Sequence, residues 1–104
     1  MSYVYLLHFE RKIGNPDKSH GMAQHYIGYA SNGLHRRLAE HLNGNGSKIM
    51  TFCHAQGIGF CLARTWPDGT RALEKQIKRW KDAPARRCPV CRGEKLYEEY
   101  RAKE

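Results

Sequence analysis

His25-Tyr26-Ile27-Gly28-Tyr29, running through Ala30-Ser31-Asn32-Gly33 into Leu34-His35-Arg36-Arg37-Leu38-Ala39-Glu40-His41, decides the fold. Branched and aromatic residues over 24–30 suit a short strand, with Tyr26 and Gly28 on one face. Gly28 removes a side chain next to the phenol, so another backbone or a phosphate can approach there. Ser31-Asn32-Gly33 is turn and cap chemistry. A helix over about 33–43 then places Leu34, Leu38 and Leu42 on a buried stripe. At 100° per residue, Arg37 lies about 60° and His41 about 20° from Leu34, on the edge of that stripe. Arg36 falls on the solvated side.

Working outward, residues 2–9 read as an earlier strand. Its period of two sets Tyr3, Tyr5, Leu7 and Phe9 against Val4, Leu6 and His8. Both sets are largely apolar, which predicts a central strand covered on both sides. Residues 10–23 are polar and carry Gly14-Asn15-Pro16, so they are expected to form a loop longer than the usual hairpin connection. After the arginine helix, Ser47 caps a second helix over about 48–56, with Ile49, Phe52 and Cys53 facing inward and Gly57 as its stop. Ile58, Phe60 and Leu62 alternate with Gly59, Cys61 and Ala63 in a third strand. A third helix over 70–82 carries Leu73, Ile77 and Trp80 as its stripe. Residues 94–103, with Leu96, Tyr97 and Tyr100, suggest a short polar terminal helix. The expected fold class is α+β: a small three-stranded mixed or antiparallel sheet flanked by helices, in β-β-α-α-β-α order.

Composition narrows the function. A chain of 104 residues with 40% hydrophobic residues makes one modest core. The expected boundaries are a main domain over 1–83 and a C-terminal extension over 84–104 packed on it. No apolar run reaches a membrane span and no secretory pattern opens the chain, so the expected location is cytoplasmic and no membrane partner is expected. The formal net charge of +8, from 18 Lys+Arg against 10 Asp+Glu, favours a polyanionic partner, nucleic acid first. The four cysteines, Cys53, Cys61, Cys88 and Cys91, are expected as thiols or metal ligands rather than disulfides.

Hydrolysis of a phosphodiester requires an activated water, stabilisation of charge on the phosphate and neutralisation of the leaving oxygen. A phenol whose ionised form is favoured by arginines can serve the first. The planar fork of arginine suits the second. One carboxylate holding a Mg²⁺ that keeps most of its waters suits the third. Tyr26, Arg37 and Glu74 have these chemistries. Glu74 stands among Arg71, Lys75, Lys78, Arg79 and Lys81, and the competing role for it is an ion pair with Lys78. Cys88-Pro89-Val90-Cys91 is half of a tetrahedral zinc site, with Cys53, His54 or Cys61 as candidates to complete it; a redox pair and inert packing are the other readings.

Together these pieces resemble a GIY-YIG nuclease of the small, stand-alone, single-domain endonuclease type. Tyr3-Val4-Tyr5 occupies the place of the first motif and Tyr26-Ile27-Gly28 the second. Leu34-x-x-Arg37-Leu38-x-x-His41 and Arg71-Ala72-Leu73-Glu74-Lys75-Gln76-Ile77-Lys78 follow in order. The resemblance implies a DNA endonuclease. Tyr26 is then the general base or water-positioning phenol, Tyr5 orients it or the water, and Arg37 binds the scissile phosphate. His41 assists through a hydrogen bond, and Glu74 is the sole protein ligand of Mg²⁺ or Mn²⁺. Arg36, Lys48, Lys78 and Tyr3 are the expected substrate contacts. Tyr3 stands where the first motif has glycine, and Tyr29 where some members have lysine. Gly33 adds one residue before the helix, which keeps Arg36 as the alternative to Arg37. The asparagine that many members carry beyond the glutamate helix has no counterpart. One such site cuts one strand, so a double-strand cut calls for a homodimer, transient pairing or a second event. A non-catalytic nucleic-acid-binding module of the same fold is the alternative.

Overall fold

The first strand organises the core because its two faces are covered by different layers. The computed structural model describes residues 2–13, 23–45, 47–79 and 87–101. It contains β1 (Tyr3–Ile13), β2 (Ala23–Ala30), α1 (Leu34–Leu42), α2 (Lys48–Gln56), β3 (Phe60–Pro67) and α3 (Arg71–Arg79), in the expected order. The sheet runs β2-β1-β3, and both pairings are antiparallel. The central position of β1 follows from its two apolar faces. Tyr5, Leu7 and Phe9 join Leu34, Leu38, Met50 and Cys53 on the α1–α2 side. Val4 and Leu6 join Ile27, Cys61, Ala63, Ile77 and Cys88 on the α3 side. Leu38 is fully buried and Ile77 nearly so, and each such side chain contributes roughly 1.5–3 kcal/mol of transfer free energy.

The local signals act as their chemistry requires. The Met50 N–H donates to the Ser47 side chain at the start of α2, and Gly57 ends that helix at φ 67°, where glycine carries no Cβ penalty. Gly33 opens α1 at φ 79° without a side-chain cap.

Three expectations are corrected, and a fourth falls outside the described residues. The first strand continues to Ile13, where a shifted register pairs it with Ala23. The loop expected over 10–23 therefore has strand at both ends, and its middle lies outside the described residues. Phe52 does not face inward: it is 43% exposed, while Met50 and Cys53, three apart, supply the buried stripe of α2. Trp80, the expected end of the third stripe, lies outside the described residues. The terminal helix does not form over the described residues 94–101. There the chain follows β3, an edge strand. The Tyr100 N–H donates to the Phe60 carbonyl (2.7 Å) and the Lys95 Nζ to the Leu62 carbonyl (2.9 Å). Tyr97 packs on one face of the sheet and Tyr100 on the other. A helix would have placed both on a single stripe and left the β3 edge bare. Among the described residues, no helix is long and apolar enough to cross a membrane.

Candidate active site

Tyr5 is the centre of the candidate site. It projects from β1 directly opposite Gly28 of β2. Any Cβ at position 28 would overlap the Tyr5 ring, so the space opened by Gly28 is filled by this phenol rather than by a phosphate or another strand. Tyr26, two residues earlier on the same face, holds its ring 6.3 Å from that of Tyr5. His41 from the end of α1 completes the group. Its ring is 5.9 Å from Tyr5 and meets Tyr26 edge-on at 5.5 Å.

Hydrogen bonding determines the proton positions. His41 Nδ1 lies 3.0 Å from the Asn45 carbonyl, which can only accept, so Nδ1 carries the proton. Burial, helped by the Arg37 charge, lowers the His41 pKa and keeps the ring neutral. His41 Nε2 therefore accepts from the Tyr5 hydroxyl at 2.7 Å. Burial, with Tyr26 next, pushes the Tyr5 phenol well above its ordinary range. A hydrogen bond and charge from Arg37 act in the opposite direction and are outweighed, and Glu74 adds to the rise. Tyr5 is thus fixed as a neutral donor. The Tyr26 hydroxyl has no hydrogen-bond partner among the described residues.

Tyr26, Arg37 and Glu74 also lie near enough to Tyr5 to act on its charge. Arg37 is half-buried and reaches Glu40 at 3.7 Å, while its Nε is buried with no hydrogen-bond partner. A buried guanidinium N–H without an acceptor costs free energy unless an anion occupies the adjoining space. Arg37 is also one of the residues lining a polar cleft of about 360 Å³, with Ser31, Asn32, Arg36, Glu40 and Arg71 among the others; Tyr26 and Glu74 do not line it. Arg36 is therefore at the cleft wall although its helical face is solvated. The Glu74 side chain is only 13% exposed and its carboxylate lies 3.4 Å from Lys78.

The other expected contacts divide. Lys78 is held beside Glu74. Tyr3 is half-buried against the α1–α2 side of the core. Lys48 is exposed on the first turn of α2 and does not line the cleft. Among the cleft residues that were not anticipated are Arg71 and Tyr29, over whose ring the Arg71 guanidinium sits at 4.7 Å. Only the packing of α3 beside β2 brings that pair together. The expected partners of Cys88 and Cys91 are also corrected. Cys53 is buried on the opposite face of the sheet, and Cys61 is buried among the α3-side core residues. The His54 Nδ1 meets the Leu42 carbonyl at 2.9 Å. The residues around the two thiols are His8 and His25.

No curated relative matches the chain, and no solved structure does. The family model for the GIY-YIG catalytic domain matches residues 1–87 of the 104. That stretch includes both tyrosine strands, the arginine helix and the glutamate helix. Members of this family are nucleases acting on nucleic acid, generally with divalent metals. The convergence of Tyr5, Tyr26, Arg37, His41 and Glu74 lies wholly within the matched residues, and the chain belongs to the GIY-YIG family.

Proposed function

We propose that this protein is a metal-dependent endonuclease that hydrolyses DNA phosphodiester bonds at the group formed by Tyr5, Tyr26, Arg37, His41 and Glu74. The observation that carries this reading is the contrast between the two phenols. Tyr5 is committed as a neutral donor to His41, whereas the Tyr26 hydroxyl has no partner among the described residues and the Nε of the half-buried Arg37 is unpartnered. Arg37 binds the scissile phosphate and stabilises the charge that grows on it. Tyr26 positions the attacking water and serves as its general base. Tyr5 and His41 hold the geometry of Tyr26. Arg36 and Arg71 engage flanking phosphates.

Glu74 fits the role of the single protein ligand for Mg²⁺ or Mn²⁺. It is largely shielded from solvent, and its pairing with Lys78 is an i,i+4 contact worth only about 0.3–0.5 kcal/mol, weak enough to yield to a divalent ion. When bound, the metal supplies positive charge that neutralises the leaving oxygen. Each such site cuts one strand, so double-strand breaks arise from transient pairing of two copies or from successive nicks.

Supercoiled plasmid incubated with Mg²⁺ or Mn²⁺ tests this reading. Wild type is expected to nick and then linearise the plasmid. Tyr26→Phe should lower the rate by about 10²–10⁴-fold, the usual contribution of a positioned acid or base. Glu74→Ala should abolish cutting while DNA binding and the folded circular-dichroism spectrum persist. A wild type that binds DNA but never cuts, across metals and substrate forms, would replace this reading with a non-catalytic binding module.

A further inference from the structure

Four metal-ligating side chains meet on the sheet face opposite Tyr5 and Tyr26. His8 and His25 are directly paired across β1 and β2, and Cys88 and Cys91 approach them from a turn at the C-terminal end. The turn is built to present both thiols. The Arg92 N–H donates to the Cys88 carbonyl (3.1 Å) and the Glu94 N–H to the Pro89 carbonyl (2.8 Å), with Gly93 at φ 74°. His8 and Cys88 are buried, His25 is half-buried and Cys91 is exposed at the rim.

Hydrogen bonding does not account for this convergence. His8 Nδ1 is approached by His25 Nε2 at 3.2 Å, by Cys88 Sγ at 3.4 Å and by Cys91 Sγ at 3.6 Å. A ring nitrogen has a single proton or a single in-plane lone pair, so it can satisfy one of these neighbours and not three. His25 Nε2 also meets Cys91 Sγ at 3.2 Å. Every ligand atom in the group lies within 4.8 Å of the others. In a tetrahedron with Zn–N near 2.0–2.1 Å and Zn–S near 2.3 Å, ligand atoms stand about 3.3–3.8 Å apart. Most of the separations here fall at or beside that range.

We propose that His8, His25, Cys88 and Cys91 form a closed, structural Zn²⁺ site that clasps the C-terminal segment to the first two strands. Two thiolates neutralise the ion and two imidazoles complete a nitrogen–sulfur set that favours zinc over hard cations such as Mg²⁺. Four protein ligands leave no open position, so the site holds structure and does not activate water. Strand parity keeps it separate from the active site, since His8 and Tyr5 point to opposite faces of β1. The clasp also seats Tyr97, whose ring lies 6.0 Å from that of His8.

The full-length protein, purified under reducing conditions without chelator, should carry about one zinc per chain by elemental mass spectrometry. The Cys88→Ser, Cys91→Ser double variant should lose it, while His54→Ala and Glu74→Ala keep it. Because the double variant can fail to fold for other reasons, His25→Cys supplies an independent test. It should retain zinc and, when loaded with Co²⁺, show about half as much again of the thiolate-to-cobalt absorption, three thiolates replacing two. Wild type that carries no zinc and shows no such absorption on Co²⁺ titration would overturn the proposal. So would zinc that persists in the double cysteine variant, or a His25→Cys variant that loses its metal.

Discussion

Tyr5 and His41 share a buried hydrogen bond, and the burial of His41 leaves a pH signature. Burial lowers the folded-state pKa of His41 below its unfolded value of about 6.5. Between those two values the unfolded chain binds more protons, so stability rises with pH there. The contribution of neutral His41 is fully present above about pH 6.5 and is lost as the pH falls through the folded-state value. Urea midpoints measured from pH 7 to pH 5 should therefore fall more steeply for wild type than for His41→Gln. The difference can reach about 1.4 kcal/mol per pH unit for one proton. Equal slopes would mean that His41 titrates in the folded protein much as it does in the unfolded chain.

Among the elements, the β1–β2 pair does the most positioning. Its register sets Tyr5 against Gly28 and His8 against His25, so one hairpin carries the two phenols of the candidate site on one face and the two histidines of the His–Cys cluster on the other. Gly28→Ala tests the first of these. A methyl group there overlaps the Tyr5 ring, and neither the adjacent backbone nor the buried His41 gives way easily. The expected cost is about 1–3 kcal/mol in thermal or chemical unfolding, as for other overpacked cores, together with loss of cleavage as the Tyr5–His41 bond is displaced. Unchanged stability and activity would show that the sheet opens at this point and that the close approach is not required. Helix α1 was legible down to its buried face because leucines four apart mark the stripe. Helix α2 was less so, since Phe52 and Met50 are similar in hydrophobicity and only the position of α1 decides which of them is covered.

At the scale of the whole molecule, the net charge of +8 gains direction from the cleft, where Arg36, Arg37 and Arg71 gather around a polar space. DNA binding is expected to weaken with salt, and each arginine that meets a phosphate contributes about −0.9 to the slope of log K against log salt concentration. Replacing Arg36 or Arg71 by alanine should flatten that slope by about one, whereas Lys48→Ala, outside the cleft, should leave it unchanged. A slope equally sensitive to Lys48 would spread the DNA path beyond the cleft.

Periodicity and residue chemistry sufficed for the order of elements and the central strand, because each of these depends on spacing along a single strand or helix. Gly57, Ser47 and the leucine stripe act within a few residues of themselves, so their consequences are readable in place. Proximity between distant segments is another matter, since it depends on register and on which edge a segment covers. The filling of the Gly28 gap by Tyr5, the stacking of Arg71 on Tyr29 and the meeting of His8 and His25 with Cys88 and Cys91 are all of this kind. The course of residues 94–101 is another such case: their apolar spacing fits a helix, but the unpaired edge of β3 offers hydrogen bonds and two faces for Tyr97 and Tyr100, and an isolated terminal helix offers neither.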